Sequence, residues 1–376
     1  MNKGKDLYRV GVLGSYGGLN MGDEAILHSI ITQLRNSLPV EFTVFSRNPE
    51  DTLHRHHVEH AIGVRKLTKT EVIPEIQKLD LLILGGGGIL FDPEIKIFLR
   101  EVRLALDNHI PVMVYAVGAG PLHDHDTVKL LRECLNRVSV VTVRERNAAR
   151  LLEDIGVTQE IIVTADPALL LRPEPLPDRT LEHEYIDSSR RLVGMSVREP
   201  GAAAPDMDVN LYHSLLANTA DFIVDRFDAD ILFVPMERKV MDMQHSHAII
   251  SRMLRAQRAW VLMGEYSCGQ LLSVIGHLQF AVGMRLHFLI YAALQGVPFV
   301  ALPYASKVEG FLESLNLEVP PVPFSSSGQL IAYIDQVWDR RSYVQEQIQR
   351  AIPGLQKLAR ETNSIAVRLL EGNYKG

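Results

Sequence analysis

The residues of this chain best suited to chemistry stand in one short run, Gly283-Met284-Arg285-Leu286-His287. An arginine offers a planar fork of donors that matches a carboxylate or a phosphate. A histidine two residues on can move a proton near neutral pH. The surrounding stretch, Gln279 to Pro303, predicts a strand over 280–282, a turn, a helix from Arg285 to Gln295, a Gly-Val-Pro turn and a strand over 299–302. That order is the βαβ unit of a parallel sheet. Arg285 and His287 would then stand at a helix start, where unpaired N–H groups and the helix dipole favour an anion. The pair suits an anionic ligand that gains or loses a proton. The plainer reading joins Arg285 to a surface carboxylate and packs His287 under the sheet.

Other chemically capable residues fall at comparable places. Arg198 directly follows an apolar run over 192–197, so it belongs to the same C-terminal strand edge as Arg285, unless it only makes a surface ion pair. Near the N-terminus a strand over 8–13 leads into a glycine-rich loop containing Gly17 and Asn20, then into a helix with apolar Ile26, Ile30, Ile31 and Leu34. Asp23 and Glu24 fall in its first turn, where a carboxylate also favours the helix dipole. The loop is neither a Walker A loop nor a G-x-G-x-x-G dinucleotide turn; its glycines allow close backbone approach to a ligand. The run Leu79 to Leu84 ends in Gly85-Gly86-Gly87-Gly88, which puts Gly86 and Gly87 where open α/β sheets bind ligands. Tight strand–helix packing is the alternative there. Gly118-Ala119-Gly120-Pro121 ends another strand on the same edge. His54, His56, His57 and His60 are read as a solvated loop over 47–70, since no acid or cysteine completes a metal set. His123-Asp124-His125-Asp126 reads as a polar loop with a helix N-cap, or as a source of an acid, a base or a weak metal site.

Strands and helices alternate through the first half, which predicts a doubly wound sheet. Residues 173–190, rich in proline and charge, read as a linker between domains over 1–172 and 191–340. The second half repeats the alternation, with strands over 192–197, 231–234 and 260–263 and helices over 209–227, 243–256 and 268–277 before the Arg285 unit. After a loop over 318–328, two helices close the chain within 341–376 and its approach, the last broken near Pro353. The expected fold is α/β, two Rossmann-like doubly wound domains facing a cleft in a GT-B-like arrangement. In that arrangement a donor anion belongs to the C-terminal domain and an acceptor to the N-terminal one.

Composition narrows the function. The 376 residues suit two domains, and 47% apolar with 22% charged residues is the balance of a soluble globular protein. A net charge of -6 gives no general field for nucleic acid or an anionic membrane, so any anion site is local. Cys134 and Cys268 are far apart, which excludes a disulfide framework and points to a reducing compartment. No apolar run reaches the roughly 18 residues of a bilayer span, and the N-terminal apolar stretch is too short for a signal core. A cytoplasmic protein is expected.

Taken together, the loop ending Asn20-Met21-Gly22-Asp23-Glu24-Ala25, the Gly85–Gly88 run, Gly118-Ala119-Gly120-Pro121, Asp166-Pro167, Arg198, and the Gly283–His287 and Gly296-Val297-Pro298 segments resemble the polysaccharide pyruvyl transferase family. The resemblance covers roughly residues 11–310. It implies transfer of the pyruvyl group of phosphoenolpyruvate to a sugar as a cyclic ketal, with phosphate leaving and no metal or other cofactor demanded. It further implies that Arg198 and Arg285 bind the donor, with His287 beside them; protonation of the donor's methylene carbon makes His287 the expected general acid. Asp23 is the expected base, with His123 and Asp92 in reserve, and Gly17, Asn20, Gly86 and Gly87 line the substrate loops. Expected partners are phosphoenolpyruvate and a sugar or lipid-linked oligosaccharide, with no nucleic acid and at most peripheral contact at the inner membrane face. One rival reading is a nucleotide-sugar glycosyltransferase on the same fold, which needs a carboxylate for the ribose hydroxyls, a role for which Glu309, after Tyr304 and Lys307, invites misreading. The other is a binding or assembly protein that kept the fold and lost the chemistry, against which stand Arg198, Arg285 and His287.

Overall fold

The computed structural model describes residues 5–64, 67–92, 94–199, 208–237, 242–302, 306–320 and 327–374. The chain divides into two units: Met1–Leu171 with Leu355–Gly376, and Arg172–Gly354. The first holds β1 (Tyr8–Leu13), α1 (Met21–Ser37), β2 (Val40–Ser46), α2 (Pro49–His56), β3 (His60–Gly63), α3 (Lys69–Ile76) and β4 (Leu81–Gly85). It continues with α4 (Ile95–Asp107), β5 (Val112–Val117), α5 (His125–Leu135), β6 (Val140–Val143), α6 (Arg146–Asp154) and β7 (Ile161–Val163). Its seven strands are ordered β3-β2-β1-β4-β5-β6-β7, and neighbouring strands run parallel. β4 and β5 are buried at every position, as the continuous apolar runs require of strands covered on both faces.

The region over 47–70, expected as a solvated loop, instead contains α2 and β3 and runs to the start of α3. Polar and histidine residues hide both signals. His54, His57 and His60 are exposed, whereas His56 is buried and hydrogen-bonded to Glu24 at 2.8 Å. Asn48 opens α2 as its N-cap, with Pro49 at the first helical position.

The second unit begins with the segment read as a linker. It carries a short helix, α7 (Thr180–His183), and is tied to the rest of the unit by carboxylates. Glu184 accepts the N–H groups of Met263 and Gly264 at 2.8 and 2.5 Å, and Ser267 donates to Glu174. There follow β8 (Arg191–Ser196), α8 (Val209–Phe227), β9 (Ala229–Phe233), α9 (Asp242–Ile250), β10 (Ala259–Val261), α10 (Cys268–Ile275), β11 (Phe280–Gly283), α11 (Leu286–Leu294) and β12 (Phe299–Ala301). The five strands are ordered β10-β9-β8-β11-β12, again parallel between neighbours. α9 is shorter than its apolar spacing predicts, because the Asp221 carboxylate takes the N–H groups of Leu254 and Arg255, both at 2.8 Å.

α12 (Ser306–Ser314), α13 (Ser327–Asp339) and α14 (Arg341–Leu370) complete the chain. α14 is not broken at Pro353, which lies inside it on an exposed face. There the carbonyl that loses its N–H partner can be solvated. The helix passes from the second unit to the first one residue beyond, at Gly354.

α13 is fastened to the second sheet by Trp338, which stacks on Phe227 of α8 with centroids 4.0 Å apart and meets Phe280 of β11 edge-on at 5.4 Å. Trp338→Ala is expected to cost about 3–5 kcal/mol. A fall in the urea midpoint with an unchanged far-ultraviolet spectrum is the outcome to look for; an unmoved midpoint would show that α13 does not stabilise this core.

Candidate active site

A doubly wound sheet opens a crevice where its strand order reverses, because the crossovers on either side lead away from each other. In the second unit that point lies between β8 and β11, paired Ser196 to Gly283. Arg198 and Arg285 each stand two residues beyond that paired position. The two strand ends are joined by the Met284 N–H, which donates to the Ser196 carbonyl at 2.9 Å. Tyr212 of α8 spans them, donating to the Arg198 carbonyl at 2.5 Å and lying 2.8 Å from the Met284 sulfur. Arg285 is the N-cap of α11, and half-buried His287 is in its first turn. The structure therefore gathers all three sequence-predicted residues of this half.

The principal partner of Arg285 is a buried carboxylate rather than a surface one. Its Nε and Nη2 meet the two oxygens of Asp242 at 3.1 and 2.5 Å, and Asp242 is fully buried. The N–H groups of Met236 and Glu237 donate to the same carboxylate, both at 3.1 Å. Burial pushes the Asp242 carboxyl above its ordinary range, against the pull of Arg285. Nη2 of Arg285 also lies 3.1 Å from Glu237, and Arg198 is paired with Glu199. Nothing in the run around Asp242 marks it as a partner of a residue 43 positions away; the crossover brings them together.

Behind Asp242, one turn along α9, the Nδ1 of His245 lies 2.7 Å from the Nε2 of His213 on α8. Both rings are buried, and their outer nitrogens have no hydrogen-bond partner among the described residues. Burial lowers both imidazoles below the ordinary histidine range; the charges of Arg198 and Arg285 lower His245 further, while Asp242 opposes them. The sequence reading did not single out this pair, since neither histidine sits in a recognisable spacing.

In the first unit the corresponding reversal lies between β1 and β4. The loop after β1 is pinned by Tyr16, whose hydroxyl donates to the Gly85 carbonyl at 2.5 Å, and by Glu24, which accepts the Gly17 N–H at 2.9 Å. Asn20 caps α1 by accepting from the Gly22 N–H at 3.0 Å. Gly17, Gly86 and Gly87 all have positive φ, at 72°, 84° and 74°. A side chain at Gly86 would strike Ile26 and Tyr16, and one at Gly87 would come within 2.6 Å of the Asp23 carboxylate. The space a side chain would fill is thus taken by the protein itself, so tight packing accounts for these glycines. The Gly17 N–H is likewise engaged by Glu24.

Asp23 is half-buried beside the Gly87 turn and within the field of Arg144. Arg144, which the sequence analysis does not single out, is a buried residue directly after β6 that pairs with Asp166 at 2.8 Å. The reserve residues do other work: Asp92 accepts the N–H groups of His123 and Asp124 at 2.5 and 2.9 Å, and the His123 side chain is exposed. Asp124 caps α5 and is lowered to about 2 by Lys96 and Thr127. Glu309 lies in the first turn of α12, and Tyr304 is outside the described residues. Asp23 belongs to the first unit, and Arg198, Arg285 and His287 to the second. Among the described residues no group of three or more His, Cys, Asp or Glu is placed to hold a metal ion, and no helix is long and apolar enough to cross a membrane.

The histidine pair sets a pH dependence. An imidazole lowered by folding takes up protons more readily in the unfolded chain, so its contribution is present above the ordinary histidine pKa of about 6.5 and lost as pH falls below it. Stability should therefore drop between pH 7 and 5 in urea titrations. His213→Gln with His245→Asn, which can keep a hydrogen bond but not titrate, should flatten that drop; an equally steep fall in the double variant would remove the pair from the account.

The comparisons agree with this architecture. The polysaccharide pyruvyl transferase family model matches residues 20–306. Amylovoran biosynthesis protein AmsJ of Erwinia amylovora is 22% identical over 291 residues, 74% of this chain and 70% of that protein. Among solved structures, S. aureus MnaA with UDP superposes with a TM-score of 0.69 at 11% identity over 98% of each chain. A glycosyltransferase of Rickettsia africae gives 0.64 at 12% identity over 98% of this chain and 100% of its own. Identities this low show the fold alone, α/β with two Rossmann-like units in the GT-B-like class. The family match, running from the N-cap of α1 to beyond β12, covers most of the chain: it belongs to the polysaccharide pyruvyl transferase family.

Proposed function

We propose that this protein transfers the pyruvyl group of phosphoenolpyruvate to two hydroxyls of a sugar, forming a ketal and releasing phosphate. The observation that carries the reading is the placement of Arg198 and Arg285 on adjacent strand ends with His287 in the following helical turn. A small donor bearing a phosphate and a carboxylate calls for two guanidiniums close together. Arg285 is held in orientation by Asp242, and the partly exposed Glu199 beside Arg198 yields its place to the donor.

The chemistry follows from the charges. Protonated His287 delivers its proton to the methylene carbon, which becomes the methyl group and leaves an oxocarbenium-like centre at the neighbouring carbon. A sugar hydroxyl oxygen bonds to that centre and loses its proton to a base, for which Asp23 is our candidate. The carbon–oxygen bond to phosphate then breaks, and phosphate departs with the bonding pair, its charge met by the arginines. The second hydroxyl closes the ketal ring, and its proton leaves with phosphate or returns to His287. The acceptor is a hexose unit with two suitably placed hydroxyls, carried on a polysaccharide precursor. A lipid-linked acceptor would bring a cytoplasmic enzyme to the inner membrane face only peripherally.

Calorimetry with phosphoenolpyruvate and a panel of nucleotide sugars tests the reading. Selective binding of phosphoenolpyruvate, weakened at least tenfold in Arg285→Ala, is expected; selective binding of a nucleotide sugar would turn the assignment to glycosyl transfer. Once an acceptor is in hand, His287→Ala should lower kcat by about 10²–10⁴ while donor binding persists. Turnover at the wild-type rate would sink the general-acid role.

A further inference from the structure

The two arginines face three carboxylates, and those carboxylates are not equivalent. Asp242 is fully buried, takes Arg285 by two nitrogens and is itself held by two backbone N–H groups. The side chains of Glu237 and Glu199 are 31% and 34% exposed, and each meets its guanidinium through one nitrogen. A buried carboxylate held by four donors cannot leave without stranding a charge, whereas a part-exposed one is exchanged for another anion at little cost.

The geometry points to a division of labour: Asp242 is the permanent positioning residue of the anion site, and Glu199 and Glu237 are exchangeable counter-ligands that an incoming anion displaces. Two guanidiniums against three carboxylates leave the resting cluster without excess positive charge. Anion binding is then a swap of carboxylate for ligand, and the ligand meets an Arg285 fork already fixed in direction. Fixing the fork favours an anion whose charged groups match its angle over one of the same charge that does not. Asp242 thus sets selectivity, while Glu199 and Glu237 set affinity. The assignment of the donor rests on the pyruvyl-transfer reading; the sorting of the carboxylates does not.

The test compares two probes by calorimetry, phosphoenolpyruvate and sulfate, on the full-length protein. Glu199→Gln and Glu237→Gln should each tighten both probes by about two- to fivefold and leave their ratio unchanged. Asp242→Asn should keep or strengthen sulfate binding while the preference for phosphoenolpyruvate falls at least tenfold. Loss of structure alone would reduce the binding-competent fraction without changing that ratio. Should Asp242→Asn not fold, Arg285→Lys carries the same test, since an ammonium keeps the charge but cannot take the fork. An unchanged ratio in these variants overturns the positioning role, and unchanged or weaker sulfate binding in both glutamine variants overturns the exchange. Sulfate binding without any for phosphoenolpyruvate would defeat the donor reading and leave the exchange to be judged on sulfate. Failure of wild-type protein to bind either probe overturns both.

Discussion

A parallel strand can be followed by another only after the chain has crossed back over one face of the sheet, so every strand of such a sheet ends at the same edge. Both sheets of this protein obey that constraint between all neighbouring strands. Where the order turns, between β1 and β4 and between β8 and β11, consecutive crossovers depart in opposite directions and the strand ends are left accessible to side chains from several elements. Arg198 and Arg285, separated by 87 positions, become neighbours because Ser196 and Gly283 are paired. The glycine turn after β4 comes to lie against Asp23 of α1 for the same reason.

Charge placed at these edges has to be balanced within the fold, since removing an ion from water without a partner costs several kcal/mol. Arg285 and Arg144 solve the problem alike. Each stands within two residues of a strand end and meets a carboxylate from a distant part of its own unit, Asp242 for one and Asp166 for the other. Close to Arg285, burial lowers the imidazoles of His213 and His245 below the ordinary histidine range, and the Arg198 and Arg285 guanidiniums lower His245 further against the pull of Asp242. The result is a cationic fork with a fixed direction inside a cluster of low net charge. Such a cluster suits recognition of a particular anion better than general attraction of anions.

The reading of the sequence succeeded where one local pattern answers to one structural cause. Apolar runs such as Leu81 to Leu84 and Val112 to Val117 fall in strands because a strand covered on both faces is apolar at every position. It failed where polar residues carry the element. β3 is a short edge strand written His-Ala-Ile-Gly, and α2 is a helix whose histidines obscure its single buried ring at His56. The segment over 173–190 looked like a linker because proline and charge dominate it, yet Glu174 and Glu184 are the groups that bind it to the second unit. The glycines near β1 and β4 were rightly placed at strand ends, but the protein's own side chains occupy the space beside them.

By itself the sequence determined that the protein is built from two βα-alternating halves, that Arg198, Arg285 and His287 fall at strand or helix ends, and which family its motifs resemble. These follow from periodicity, turn residues and spacing, all of which are local along the chain. Tertiary structure alone decided which strands are neighbours, and hence that Arg198 and Arg285 stand on adjacent strand ends of the edge they share. It alone supplied Asp242, Glu237, His213 and His245 around that edge and Arg144 beside Asp23. Strand order and the pairing of buried charges are set by packing between residues far apart in the chain, and no local pattern encodes them.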